Sequence, residues 1–285
     1  MKTISNHVIP GPNGRPIILD IFMPVEAKDA PLVIFCHGYK GFKDWGAWNI
    51  MSQSFAGKGV AIIKFNFSFN GGTVEQPIDF PDLKAFSQNN YSKELDDLHT
   101  VLNWIEVSDM ISSSIDRSDI TVMGHSRGGG IAALAANTDQ RIKKLITLAG
   151  VSDFEARFNI GSEEFETWKR EGVKYVLNGR TKQQMPHLFQ FYKDFEANAN
   201  RLNIEKALRS LQIPHLIIHG NADTSVSVEE AHNMYEWNPD AELFIIEGAN
   251  HVFGVSHPWN QNNLTDAMNA AVSRIVDFIS TQENE

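Results

Sequence analysis

The sequence has little that would link it to an oxidising compartment or a membrane. Cys36 is the only cysteine among 285 residues, so no disulfide can form within the chain. Residues 1–10 lack the apolar core of a signal peptide, and no apolar run approaches the roughly 18 residues that span a bilayer. These absences predict a cytoplasmic protein that does not act at a membrane.

The sequence also has fewer basic residues than acidic ones. The chain has 25 Lys and Arg against 35 Asp and Glu, which gives a formal net charge of −10. Because the acidic residues are dispersed along the chain, we expect neither nucleic acid nor an anionic membrane surface as a partner. No internal repeat or low-complexity segment is present, and the hydrophobic fraction of 42% suffices for a large core. We predict a single domain over residues 1–285.

What the chain does contain is an alternation of short apolar segments with amphipathic ones. This alternation predicts an α/β fold with a mostly parallel sheet covered by helices on both faces. Turn residues over 10–16 predict a hairpin between two early strands, so that the amino-terminal edge of the sheet is antiparallel. The predicted strands cover residues 17–22, 32–36, 60–67, 120–123, 145–149, 215–219 and 243–246.

Helical periodicity is clear in two segments, Tyr91–Val107 and residues 266–279, whose apolar residues fall on one face. Residues 152–212 contain no evident strand and are rich in aromatic residues at helix-like spacing. An unstructured loop of that length is improbable inside a domain. We therefore predict a helical cap inserted between two strands, with Phe158 and Trp168 as its candidate substrate contacts.

The motif with the most chemical content is Gly124-His125-Ser126-Arg127-Gly128, which lies between a predicted strand and a predicted helix. A strand that turns abruptly into a helix at Gly-x-Ser-x-Gly holds the serine in a strained, exposed turn with its hydroxyl aimed at substrate. The motif predicts that Ser126 is the nucleophile of a hydrolase.

A serine nucleophile needs a general base and an acid that orients the base. Two later strands run into loops that carry suitable residues, Asp223 after the strand at 215–219 and His251 after the strand at 243–246. Ser126, Asp223 and His251 therefore occur in the order nucleophile, acid, base. Asp153, which follows the strand at 145–149, is a competing candidate for the acid.

Acyl transfer also needs donors for the negative oxygen of the tetrahedral intermediate. The amide of Arg127, beside the nucleophile at the helix start, is one candidate. The loop after the strand at 32–36 supplies a second, because Gly38 allows a tight turn that directs the amide of Tyr39 towards the pocket.

Taken together, these motifs resemble those of the α/β-hydrolase superfamily across nearly the whole chain. They are His37-Gly38, Gly124-His125-Ser126-Arg127-Gly128, His219-Gly220-Asn221-Ala222-Asp223 and Gly248-Ala249-Asn250-His251. Within that superfamily the chain is most similar to dienelactone-hydrolase-like proteins, prolyl-oligopeptidase-like hydrolases and bacterial cinnamoyl or feruloyl esterases. The esterases carry a helical insertion before the strand that supplies the acid, as residues 152–212 would here.

The resemblance implies an eight-stranded sheet and hydrolysis of carboxylic esters, including aromatic or cinnamoyl-type esters, without a metal or organic cofactor. True dienelactone hydrolases use cysteine where this chain has Ser126, which favours ordinary small-molecule esters as substrates.

Two other functions fit the same residues. The triad also cleaves amides, so an aminopeptidase-like serine peptidase is an alternative, although no separate propeller domain restricts peptide access. A non-catalytic ligand-binding protein with this fold is the second alternative. It would be favoured by loss of a triad residue, and none is missing.

Overall fold

The computed structural model describes residues 1–25 and 27–280, so Glu26 and residues 281–285 of the predicted domain lie outside the described ones. Eight strands of the described residues form one sheet, in the order β1-β2-β4-β3-β5-β6-β9-β10, and β7 and β8 form a separate hairpin. The strands are β1 (Lys2–Ile9), β2 (Ile17–Met23), β3 (Ala30–Cys36), β4 (Ala61–Asn66), β5 (Ile115–His125), β6 (Ile142–Leu148), β7 (Val173–Leu177), β8 (Gln184–Leu188), β9 (His215–Gly220) and β10 (Glu242–Ile246).

The sheet is parallel from β4 to β10, and β2 is antiparallel to both β1 and β4. The predictions of a mostly parallel eight-stranded sheet and of an antiparallel amino-terminal edge are confirmed. In the register of the central strands, Cys36 of β3 lies beside Gly124 of β5, and Gly124 lies beside Thr147 of β6. The carboxyl ends of these strands therefore meet at one edge of the sheet.

Helices cover both faces of the sheet, as predicted. Helices α1 and α9 pack on one face, together with Val33 and Phe35 of β3. Helices α3, α4 and α8 pack on the other face, together with Leu32 and Ile34. This alternation along β3 follows from the two-residue period of a strand, which sends successive side chains to opposite faces. The helices are α1 (Trp48–Gly57), α2 (Leu83–Ser87), α3 (Tyr91–Val107), α4 (Arg127–Thr138), α5 (Glu163–Glu171), α6 (Gln190–Ala197), α7 (Ile204–Arg209), α8 (Glu229–Trp237) and α9 (Asp266–Ser280).

The segment between β6 and β9 forms an insertion at the carboxyl edge of the sheet. It contains a 3-10 helix (Glu155–Phe158) and the helices α5, α6 and α7, and it also contains the β7–β8 hairpin, which the sequence pattern did not predict. Helix α5 has clear end signals, since the Ser162 side chain accepts from the amide of Phe165 and Gly172 follows in a left-handed conformation.

None of the helices in residues 1–25 and 27–280 has the length and apolar character needed to cross a membrane.

Candidate active site

Ser126 lies at the junction of β5 and α4, where the backbone turns sharply. Its φ of 56° and ψ of −122° lie outside the regions that side-chain-bearing residues favour, which marks a locally strained turn. The amide of Ser126 donates to the carbonyl of Leu148 at 2.9 Å, and the carbonyl of Ser126 accepts from the amides of Gly129 and Val151. These backbone bonds hold the turn and leave the hydroxyl at the edge of a cavity.

Two glycines make this turn possible. A Cβ on Gly124 would overlap the carbonyl of Gly128, and a Cβ on Gly128 would overlap the carbonyl of Cys36 at the end of β3. The first turn of α4 packs so closely against the end of β3 that both positions admit only glycine. The spacing of the Gly-x-Ser-x-Gly motif is thus a packing requirement of the turn.

The loop after β3 reaches the same turn. A Cβ built on Gly38 would lie 2.9 Å from the Cβ of Ser126, so the Gly38–Tyr39 backbone passes immediately beside the serine. Within the described residues, the amides of Tyr39 and Arg127 donate no hydrogen bond to another protein group. Two unpaired amides on either side of a serine are the arrangement that could bind a developing oxyanion.

His251 lies in the loop after β10 and contacts Asp223, which lies in the loop after β9. The distance from His251 Nδ1 to Asp223 Oδ2 is 2.7 Å. A carboxylate only accepts hydrogen bonds, so Nδ1 carries the proton and Nε2 is left with a lone pair. His251 and Ser126 line the same cavity. No hydrogen bond joins their side chains in the described part of the chain, and in free enzymes this contact is often long and tightens when substrate binds.

The carboxylate of Asp223 is held by groups on all sides. Its Oδ1 accepts from the amides of Ser225 at 2.8 Å and Val226 at 3.0 Å. Its Oδ2 lies 3.2 Å from His219 Nε2 as well as beside His251. Burial raises the pKa of Asp223, but the hydrogen bonds from His219, His251 and Val226 outweigh it and hold the pKa well below its usual range. The carboxylate is therefore ionised wherever His251 could act as a base.

Asp153, the competing candidate for the acid, lies elsewhere. It is exposed, and its carboxylate accepts from the amides of Glu155 at 2.8 Å and Ala156 at 3.3 Å. It therefore holds the first two amides of the 3-10 helix of the insertion. The structure brings Asp223 to His251 and leaves Asp153 out of that contact. In the described residues there is no cluster of three or more His, Cys, Asp or Glu that could hold a metal ion.

His125 is a site residue that the sequence pattern did not identify. Its Nε2 donates to the carbonyl oxygen of His251 at 2.8 Å, and its ring lies 4.8 Å from the His251 ring. Burial, followed by the nearby His251, lowers the pKa of His125 to about 3, so the ring stays neutral and keeps this donor tautomer. His125 thus anchors the loop that carries His251.

A cavity of about 470 Å³ opens beside Ser126 and His251. The predicted contacts Phe158 and Trp168 line it and are buried. A smaller cavity of about 250 Å³ adjoins the first and shares Tyr39, Lys40, Ser126 and His251 with it. The aromatic residues of the larger cavity are Tyr39, Tyr91, Phe154, Phe158, Trp168 and Phe191.

The insertion is tied to the Tyr39 loop. His187 of β8 uses Nδ1 to donate to the carbonyl of Met185 at 3.1 Å, so its Nε2 accepts from the hydroxyl of Tyr39 at 2.9 Å. The Arg127 guanidinium lies 4.4 Å from the centroid of the Tyr39 ring and 3.3 Å from Glu94 Oε1. The side chains of Tyr39 and Arg127, whose amides flank Ser126, therefore stack on one another.

Comparison with known proteins agrees with this architecture. The family model BD-FAE matches residues 19–238 of the chain. Est1E from Butyrivibrio proteoclasticus superposes with a TM-score of 0.71 at 18% identity, covering 97% of this chain and 98% of Est1E. A second structure of that protein has ferulic acid bound. A putative hydrolase from Agrobacterium vitis S4 gives a TM-score of 0.71 at 20% identity, covering 98% and 99% of the two chains. The expected α/β-hydrolase fold is confirmed.

A relative is also found among curated proteins. An uncharacterised 31.7 kDa protein of the traX-finO intergenic region of Escherichia coli is 29% identical over 142 residues. The match covers 48% of this chain and less than half, 43%, of that protein.

Proposed function

Because the chain belongs to the BD-FAE family and has the α/β-hydrolase fold, we propose that it hydrolyses carboxylic esters through Ser126, His251 and Asp223. The observation that carries the proposal is the contact of 2.7 Å between His251 Nδ1 and Asp223 Oδ2, made at the cavity where Ser126 is held in a strained turn. A serine and a base at one cavity, with a buried acid that orients the base, are the groups that acyl transfer needs.

In the proposed reaction, Ser126 Oγ attacks the ester carbonyl carbon while His251 Nε2 accepts the hydroxyl proton. The carbon–oxygen bond to the alcohol then breaks, and His251 returns the proton to the departing oxygen. Water attacks the acyl-serine by the same route and releases the acid. Asp223, ionised throughout, holds the imidazole in the required tautomer and stabilises its protonated form.

The amides of Tyr39 and Arg127 complete the proposed site. The carbonyl oxygen becomes negative in the tetrahedral intermediate, and both amides are available to it because neither has a protein acceptor among the described residues. Removing one such donor typically lowers kcat about 10²-fold to 10³-fold.

The walls of the cavity favour an aromatic substrate. Phe158 and Trp168 present ring surfaces to it, and Est1E, which shares the fold, has been seen with ferulic acid bound. We therefore propose small esters with an aromatic or cinnamoyl-type group as the substrates. We also propose a cytoplasmic location, since the single cysteine, Cys36, is buried and free; fractionation of the host cell tests this.

The first prediction concerns the nucleophile. Ser126→Ala should fold normally and lower the turnover of a chromogenic acetyl ester about 10³-fold or more, because only binding and the two amides remain. Ser5→Ala, at an exposed position of β1, is the matched control and should retain wild-type turnover. If Ser126→Ala keeps more than about a tenth of the activity, Ser126 is not the nucleophile.

The same assay separates the alternative functions. An aminoacyl anilide tests for peptidase activity, and faster cleavage of the anilide than of the ester would favour the aminopeptidase-like function. A wild-type protein that binds aromatic esters without releasing alcohol would favour the non-catalytic function.

A further inference from the structure

The larger cavity beside Ser126 carries a charge opposite to that of the whole chain. Four cationic side chains line it, and within the described part of the chain no Asp or Glu does, although the formal net charge of the protein is −10. The four are Lys40, Arg127, Arg157 and Lys174. A positive pocket in an acidic protein needs an explanation, because charges that face each other in a partly enclosed space repel.

Two of these four cations form ion pairs with acidic side chains. Arg157 donates to Glu230, and Lys174 lies 3.3 Å from Glu164. The first pair ties the insertion to α8, and the second joins α5 to β7 within the insertion. They leave Lys40 and Arg127 as the cations whose charge is least compensated.

Lys40 makes no ion pair within the described residues, and no carboxylate acts on its charge. Its Nζ lies 5.0 Å from the ring centroid of the neighbouring Tyr39, and the residue borders both the larger and the smaller cavity. Burial, and then the positive charge of Arg127, lower the pKa of Lys40. The two cations therefore act on each other across the site.

Arg127 has a single weak acidic contact. A guanidinium has five N–H donors, and the hydrogen bond of 3.3 Å to Glu94 is the one that Arg127 makes in the described part of the chain. Burial raises the pKa of Glu94, which reduces its value as a counter-charge. Most of the hydrogen-bonding capacity of Arg127 is thus unused and lies beside the reacting serine.

We propose that the ester substrate carries a carboxylate, which lies against Lys40 and Arg127 next to Ser126. This proposal rests on the proposed ester hydrolysis and names the charge of its substrate. A carboxylate would supply the acidic partner that Lys40 lacks and a second acceptor for Arg127, and hydrogen bonds between ionised partners are stronger than neutral ones. A site built for such a group rejects the neutral analogue, because its buried polar groups would be left unpaired.

Two matched pairs of esters test the proposal, one for each side of the ester bond. On the acyl side, the para-nitrophenyl monoester of glutaric acid is compared with that of a neutral acid in which an isopropyl group replaces the carboxylate. On the alcohol side, para-carboxyphenyl acetate is compared with para-isopropylphenyl acetate. The measured quantity is the ratio of kcat/KM for the anionic ester to that for the neutral ester.

We expect a ratio of at least about tenfold for one pair in the wild type, falling as salt screens the charges. Lys40→Met should lower this ratio about tenfold, and Lys40→Arg should keep most of it. The backbone at Lys40 has a φ of 54°, a strain that Met shares with Lys, so the substitution adds none. Lys58→Met, at an exposed position after α1, should leave the rates of all four esters unchanged.

The outcomes separate this proposal from the proposed function. A kcat/KM ratio near one for both pairs, or a ratio that Lys40→Met does not change, overturns the proposal of an anionic substrate. The proposed ester hydrolysis would still stand. If the wild type hydrolyses none of the four esters, the proposed ester hydrolysis is contradicted. In that case, calorimetry of the four esters with Ser126→Ala still decides whether the cavity selects the anionic members.

Discussion

At the scale of single residues, the acid of the site can be tested against its competitor. Asp223→Asn should lower ester turnover about 10²-fold to 10⁴-fold, because an amide supplies no charge to stabilise protonated His251 and favours the wrong tautomer. Asp153→Asn should change turnover by less than about twofold, since Asp153 is exposed and contacts only amides of the 3-10 helix. Steady-state kinetics on one ester compares the two variants directly.

The reverse result would be informative. A larger loss in Asp153→Asn than in Asp223→Asn would mean that the acid follows β6, and that the contact of 2.7 Å between His251 and Asp223 is not the one used in the reaction.

Ser126, Asp223 and His251 follow β5, β9 and β10, and the sequence placed them there because strand ends can be found from local pattern. Local pattern could not identify the side chains that hold Tyr39 and His251 in place. His187 contacts Tyr39 across 148 positions of sequence, and His125 contacts His251 across 126. No local pattern encodes such a pair, because the contact depends on how distant elements pack.

At the scale of elements, long periodic helices were the most predictable. The predicted bounds of α3, Tyr91–Val107, match the observed ones. The helix has 17 residues with one apolar face, and the Asn90 side chain caps its first turn, so the sequence signals for a helix are strong. The β7–β8 hairpin was missed. Its side chains are mostly exposed or half-buried, so they lack the apolar run of a core strand. Pro186 also lies within β8, which is tolerated because the hairpin is an isolated pair of edge strands.

The missed hairpin leads to a prediction about catalysis. Tyr39→Phe removes the hydrogen bond of 2.9 Å to His187 while keeping the ring that stacks on Arg127. Tyr39→Phe leaves the buried His187 without this partner, and an unpaired buried polar group costs about 1–3 kcal/mol. A loosened Tyr39 amide should affect the transition state most. We expect kcat to fall about threefold to thirtyfold, with a smaller change in KM.

Tyr235→Phe, at an exposed tyrosine of α8, is the control for this change and should behave as wild type. An unchanged kcat in Tyr39→Phe would show that the hairpin does not help to position the Tyr39 amide. A rise in KM alone would show that the Tyr39 hydroxyl matters only for substrate binding.

At the scale of the whole molecule, topology explains why residues so far apart in sequence form one site. Tyr39 follows β3, Ser126 follows β5, Asp223 follows β9 and His251 follows β10. All four strands are parallel, so their carboxyl ends lie at the same edge of the sheet. Ligand sites in parallel sheets form at this edge, and the insertion between β6 and β9 closes over it.

The same compact interior makes the folded state sensitive to acid. Burial is the main cause that lowers the pKa of His37 to about 4, and of His125, His187 and His215 to about 3, from the ordinary histidine value of about 6.5. Below about pH 6.5 the unfolded chain therefore binds protons at these histidines that the folded chain does not. Their contribution to stability is present above that pH and is lost as the pH falls.

Two buried carboxyl groups act in the opposite direction. Burial raises the pKa of Asp97 from 3.8 to about 7, and it also raises that of Glu94. The folded chain keeps protons there that the unfolded chain releases, so these groups lower stability as the pH rises. As the pH falls, four histidines lower the stability and two carboxyl groups raise it. We therefore expect the net stability to fall between about pH 6.5 and pH 4.

His215 is the best position at which to measure this effect, because it lies in the core away from Ser126. Its Nε2 is 3.1 Å from Thr147 Oγ1, and its Nδ1 is buried without a partner. His215→Gln keeps an acceptor for Thr147 and removes the titrating ring. The decline in the free energy of unfolding should then be less steep by about 1.4 kcal/mol per pH unit between about pH 6 and pH 4. Urea unfolding at a series of pH values measures this slope, and His232→Gln, at an exposed histidine of α8, should retain the wild-type slope. If His215→Gln loses stability as steeply as the wild type, protonation of the buried His215 ring does not drive the acid unfolding.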